Sequence, residues 1–224
     1  MSDSLLNEQR EIYRKNFLEY GDTPLGVFWN NRETQYLRFE RLLKNFNMSR
    51  QPFSIHDIGC GTCALHEYLL EKKIDHSYHG TEIVHEMIKV SLKKFNDIKI
   101  VERNILTEKD IEICDIGVVS GAFNYGGHPD KKKWKEYVFN MMNKIFSITS
   151  QGSSFNFLTS LNTFSHPSLY YFSPAEVLDY CMNNLSRFVI LDHAYPLFEF
   201  TVTILKEDYL GKEYLNPVFK KYFP

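Results

Sequence analysis

The chain has 224 residues, 43% hydrophobic and 15% aromatic, which suits one α/β domain with a real core and is short for two. Its 26 Lys and Arg balance 28 Asp and Glu, so no basic field invites nucleic acid. No apolar run approaches the ~20 residues that span a bilayer, the N-terminus lacks the apolar block of a signal peptide, and four cysteines do not make a disulfide scaffold, so a cytoplasmic location with no membrane contact is expected.

Apolar residues at rough helical spacing predict a helix over 5–20, broken by Gly21-Asp22-Thr23-Pro24, and a second over 32–46. From residue 53 strands and helices alternate. Strands are predicted over 53–58, 77–83, 98–101, 115–120 and 153–158, with helices over 64–72, 84–95, 131–148 and 174–183, the last opened by Ser173 as N-cap. Two closing strands, 187–191 and 198–205, are joined by a turn too short for a crossover, so the last strand must run antiparallel. The expected fold is a Rossmann-like, seven-stranded, mostly parallel sheet with helices on both faces. One domain is expected: an N-terminal helical lid over 1–50, a core over 51–205 and a tail over 206–224.

The sharpest local feature is Asp57-Ile58-Gly59-Cys60-Gly61-Thr62, where the first strand runs into a helix. Glycines there allow a tight turn and let a ligand approach the backbone without a Cβ in the way. Glu82, about twenty residues on and at the end of the second strand, can accept both hydroxyls of a ribose. Gly59 to Ala64 also fits a loose dinucleotide fingerprint. Three features oppose a nicotinamide cofactor: Asp57 gives nothing to a pyrophosphate but suits sulfonium and amino groups, two helices precede the sheet, and no second domain follows it.

These stretches, together with Thr81-Glu82-Ile83, Arg103-Asn104-Ile105 and Val119-Ser120-Gly121-Ala122-Phe123-Asn124, resemble the class I S-adenosylmethionine-dependent methyltransferases of small molecules over about residues 25–205. The resemblance implies S-adenosylmethionine as cofactor. Asp57, Gly59, Cys60 and Gly61 would hold its methionine part, Glu82 its ribose, Ile83 its adenine face, and Asn104 with Ile105 the adenine edge. Ser120 to Phe123 would line the passage to the acceptor. Cys63 stands where many members carry a third glycine, and Asn104 replaces a more frequent aspartate.

Other residues carry two readings each. Trp29 can close the pocket while Arg38 or Asn30 reaches the cofactor carboxylate, or Trp29 and Phe28 can simply pack the helices on the sheet. The run 159–172, with Asn162, His166, Tyr170 and Tyr171, faces the ligand side together with Phe123 and Asn124. Tyr171 and Asn124 are therefore candidates for catalytic contacts, an aromatic face being suited to a sulfonium. His128 or His193 can remove a proton from an acceptor. Glu199 reads as part of the closing hairpin. Cys60 and Cys63, and His56, His76 and His79, read as structural, so no metal is expected.

The function expected is direct methyl transfer to a small molecule. Two alternatives keep the pocket: cyclisation of the cofactor itself to azetidine-2-carboxylate and methylthioadenosine, or binding without turnover. The tail carries Tyr209, Phe219, Tyr222 and Phe223, apolar enough to dock on its own domain or on a second subunit, which leaves a homodimer open.

Overall fold

The computed structural model describes residues 2–48, 53–125 and 130–223. Helix α1 (Ser2–Tyr20), a 3-10 turn (Pro24–Val27) and α2 (Arg32–Leu43) come first. Asn31 starts α2, its side chain accepting the Thr34 N–H. The core follows as β1 (Phe53–Ile58), α3 (Ala64–Glu71), β2 (His76–Glu82), α4 (His85–Lys94), β3 (Lys99–Glu102) and β4 (Cys114–Val119). Then come α5 (Lys131–Ser147), β5 (Thr149–Leu158), α6 (Pro174–Asn184), β6 (Val189–Asp192), β7 (Glu199–Leu205) and a short α7 (Glu207–Gly211).

The strands form one sheet in the order β3-β2-β1-β4-β5-β7-β6. All neighbours are parallel except β7, which runs antiparallel to both β5 and β6. This is the expected architecture. Because β1 lies between β2 and β4, the chain winds outward in both directions from the β1/β4 boundary. Such a switch point leaves a crevice at the carboxyl ends of the strands.

Both faces are covered, so the central strands are buried almost throughout rather than at alternate residues. In one cluster Trp134 and Met142 of α5 pack with Phe123, Phe155, Phe157 and Val202. In another, Phe39 and Leu42 of α2 and Leu69 of α3 pack with Phe53, Ile55 and Val118. Leu42, Ile55 and Leu69 are fully buried, each worth roughly 1.5–3 kcal/mol of transfer free energy. The tail docks on its own domain: Tyr209 is buried in this second cluster and its hydroxyl accepts the Asn47 N–H, while Phe223 stacks on Phe188.

Strand β5 starts four residues earlier than the sequence pattern suggests. Ser150, Gln151 and Gly152 do not look like strand interior, but the pairing with β4 shifts register between Cys114 and Ile116 and absorbs them. Gly152 passes so close to β7 that a Cβ there would lie 2.2 Å from the Ile204 carbonyl oxygen.

Candidate active site

A cavity of about 560 Å³ opens at the carboxyl ends of β1, β2, β4 and β5, roofed by α1 and by the segment between α1 and α2. Its floor is the glycine loop, three of whose backbone donors are already taken. The N–H groups of Gly59 and Cys60 donate to the Thr81 carbonyl at 2.7 and 3.2 Å, and that of Gly61 donates to Glu82 Oε2 at 2.8 Å. Glu82 Oε1 accepts the N–H groups of Ile83 and Val84 at 2.6 and 2.9 Å. A pyrophosphate seeks free N–H donors in such a loop, and these three are committed elsewhere. The loop offers close approach instead, with Gly59 and Gly61 at positive φ.

The charge at the floor is acidic. Burial drives both carboxyls upward, that of Asp57 to about 7 despite the Tyr78 hydroxyl donating to it at 2.7 Å, with the Glu82 charge adding to the rise. Glu82 is raised by burial against the three backbone N–H groups that lower it. Two buried acids at one end of a cavity favour a cation there. Ser120 and Asn104, both lining the cavity, each have a buried polar atom, Oγ and Nδ2, with no partner among the described residues. Such atoms cost stability unless a ligand satisfies them. A cationic group carrying a nucleoside with polar edges fits this set.

The roof is tied down by side chains. Gln9 donates to the Ala122 carbonyl at 2.8 Å and Arg10 to that of Ile83 at 2.9 Å, which fixes α1 across the cavity from the end of β2 to the loop after β4. Tyr13, Phe28 and Tyr125 form an aromatic group at the cavity wall, with ring centroids 5.1 to 6.3 Å apart. The Trp29 ring packs against Gly121 and beneath the Arg38 guanidinium, 3.9 Å from its centroid. Arg38 in turn pairs with Glu199 in the protein interior.

Asp57, Gly59, Cys60, Gly61, Glu82, Ile83, Asn104, Ile105, Ser120, Phe123, Trp29 and Arg38 all line this one cavity. The candidates for catalytic contacts fare differently. His128 lies outside the described residues. Asn124 lines the cavity, but its Oδ1 accepts the Leu158 N–H at 3.1 Å and so ties the loop to β5. Tyr171 is not among the lining residues; its hydroxyl accepts the His166 N–H at 2.9 Å, and the Tyr170 ring packs on Phe172. The same loop supplies His166, Ser168 and Leu169 to the wall instead, because its turn at 166–169 faces inward. His193 is exposed beside Phe200 and away from the cavity. Cys60 and Cys63 are both buried, and Cys63 adopts the left-handed conformation (φ 62°) that a glycine would take without strain. Among the described residues no three His, Cys, Asp or Glu side chains gather as metal ligands.

Glu199 is the residue the sequence reading passed over. It does open β7, and its carboxylate also enters the cavity wall. The signal was available: an acid heading Phe-Thr-Val-Thr-Ile-Leu, a strand buried along its whole length, needs a buried partner.

No protein-family model matches the chain. A curated protein of Mycobacterium tuberculosis named "Putative methyltransferase Rv1506c" is 32% identical over 157 residues, 69% of this chain and 94% of that one. Among solved structures, the 1,6-didemethyltoxoflavin-N1-methyltransferase of Burkholderia thailandensis, with bound 1,6-didemethyltoxoflavin and S-adenosylhomocysteine, matches with a TM-score of 0.65 at 13% identity, over 92% of this chain and 89% of that one. The N-methyltransferase NodS of Bradyrhizobium japonicum, in complex with S-adenosylhomocysteine, matches with a TM-score of 0.58 at 13% identity, over 88% and 98%. At such identities the structures speak for the fold. With a relative of that identity along most of its length and the sheet order described above, the chain belongs to the class I S-adenosylmethionine-dependent methyltransferases.

Proposed function

We propose that the protein transfers the methyl group of S-adenosylmethionine directly to a small-molecule acceptor held in the same cavity. The observation that carries this reading is one continuous chamber of about 560 Å³ with an acidic, polar floor and a largely apolar roof. That volume lies in the range of about 300–1,000 Å³ usual for small-molecule sites. Among the described residues the roof is built from α1 and short loops, with no broad groove for a folded RNA or a protein.

When bound, S-adenosylmethionine supplies a methyl group activated by its sulfonium. Asp57 and the Gly59–Gly61 loop hold its methionine part, and Arg38 holds the carboxylate. Glu82 Oε2, which accepts one N–H, has a lone pair left for a ribose hydroxyl, Ile83 packs on the adenine, and Asn104 and Ile105 border its edge. Ser120 to Phe123 separate this half from the acceptor half. There Leu6, Gln9, Tyr125, Leu169 and Leu197 exclude water, and His166 and Ser168 offer polar contacts. Catalysis rests on proximity and alignment in a dry chamber.

The test uses purified protein and S-adenosylmethionine labelled in its methyl group. With a metabolite extract, label enters the low-mass fraction and S-adenosylhomocysteine accumulates. Label entering protein or RNA instead removes the small-molecule acceptor. Methylthioadenosine released from S-adenosylmethionine alone, above the non-enzymatic background, overturns methyl transfer in favour of cyclisation.

A further inference from the structure

We propose that Glu199 is a positioning residue: it aims a free edge of the Arg38 guanidinium at the carboxylate of the bound amino-acid moiety and, through Asn156, fixes the loop that borders the acceptor. The inference rests on S-adenosylmethionine being the cofactor.

Arg38 and Glu199 are 7% and 2% exposed and both line the cavity. Glu199 Oε1 accepts from Arg38 Nε at 3.0 Å and Nη2 at 2.6 Å, and Oε2 accepts from Nε at 2.8 Å. Arg38 Nη1 donates to the Thr34 carbonyl, one turn back on its own helix, at 2.9 Å. A guanidinium has five N–H donors in a fixed plane. These bonds leave one on Nη1 and one on Nη2, the two terminal nitrogens of the group. That fork matches a carboxylate.

The second arm begins at Glu199 Oε2, which also accepts from Asn156 Nδ2 at 3.0 Å. Asn156 is fully buried, and its Oδ1 accepts the Gly121 N–H at 2.8 Å. Gly121 carries the Trp29 ring, and Trp29 lies beneath Arg38. The contacts therefore close a circuit through the lid segment, α2, the loop after β4, β5 and β7. Glu199 is the member that touches both polar arms.

A carboxylate is required at that node. Both its oxygens face donors, so an amide would set an N–H2 against either Arg38 or Asn156. If Asn156 flipped to accommodate it, its own N–H2 would face the Gly121 N–H. Either way one bond of the circuit is lost.

The experiment compares two ligands that share the nucleoside: S-adenosylhomocysteine, which has the amino-acid carboxylate, and methylthioadenosine, which lacks it. Dissociation constants are measured on the wild type, on Glu199→Gln and on Glu199→Asp. The aspartate keeps the buried charge pair but draws its carboxylate back by one methylene, and so remains informative if an unpaired buried arginine prevents Glu199→Gln from folding. The expected result is a loss of about tenfold or more for S-adenosylhomocysteine and less than about twofold for methylthioadenosine, in each folded variant. A purely structural role would not move that ratio. Equal losses on both ligands, or no loss on either, overturn the proposal. Failure of the wild type to bind S-adenosylhomocysteine strikes the cofactor reading on which it rests.

Discussion

Trp29 occupies the space where residue 121 would carry a side chain: a Cβ on Gly121 would lie 2.2 Å from the Trp29 ring. The glycine also sits at φ 83°, where L side chains are strained. Gly121→Ala should therefore displace the indole, at a cost of about 1–3 kcal/mol, which for a chain of this size is about 2–4 °C of Tm per kcal/mol. Trp29 emission should shift at the same time. In a double-mutant cycle, Trp29→Ala should relieve much of that penalty. Unchanged Tm and unchanged emission would remove Trp29 from this position.

Ser120 makes a prediction with two signs. Its buried hydroxyl has no partner among the described residues, so Ser120→Ala removes an unsatisfied group and should leave the Tm of the free protein unchanged or raise it. If the hydroxyl meets the cofactor, the same change should weaken S-adenosylhomocysteine binding by about fivefold, the equivalent of about 1 kcal/mol. Calorimetric titration and thermal unfolding of one variant check both. A lower Tm would mean that the hydroxyl already has a protein partner.

The sheet and the floor of its cavity were legible in the sequence because they rest on local signals. Phe53–Ile58 running into two glycines, and Glu82 closing the next strand, are visible in a few consecutive residues. The roof was less legible because its bonds span the chain. Gln9 reaches Ala122, Arg10 reaches Ile83 and Arg38 reaches Glu199, separations of 113, 73 and 161 residues that no periodicity reveals. The loop 159–172 was expected to face the ligand side, and His166, Ser168 and Leu169 line the cavity, but which of its side chains turn inward depends on a turn at His166 that sets Tyr171 against the loop backbone.

His56 should make the fold acid-labile. It is buried in β1, with Nε2 against the Thr81 hydroxyl at 2.8 Å and Nδ1 without a partner among the described residues. Burial, then the charges of Arg103 and His79, push its pKa down from 6.5 to about 3. A histidine held neutral in this way contributes stability that is complete above pH 6.5 and is lost as the pH falls toward 3. His56→Leu should therefore flatten the acid limb of a Tm-against-pH curve by up to about 1.4 kcal/mol per pH unit. Parallel acid limbs in the two proteins would show that His56 is not the group responsible.

Asp57 governs the pH dependence of cofactor binding in the opposite sense to its effect on the fold. Burial lifts its carboxyl from 3.8 to about 7. In the free protein the protonated form is favoured, so this group's contribution to stability is present below the ordinary carboxyl range and is lost as the pH rises through 7. A cation in the site needs the ionised form. Its binding must expel the proton at low pH and finds the charge ready above 7. Affinity for S-adenosylmethionine should thus fall by up to about tenfold per pH unit below about pH 7 and level off above it. Methylthioadenosine, which lacks both the sulfonium and the amino group, should bind with little such dependence, and Asp57→Asn should bind S-adenosylmethionine weakly with a flat profile. Isothermal titration from about pH 5.5 to about pH 8.5 reads all three curves. A flat wild-type profile, or tighter binding in acid, would mean that Asp57 does not face the cationic part of the cofactor.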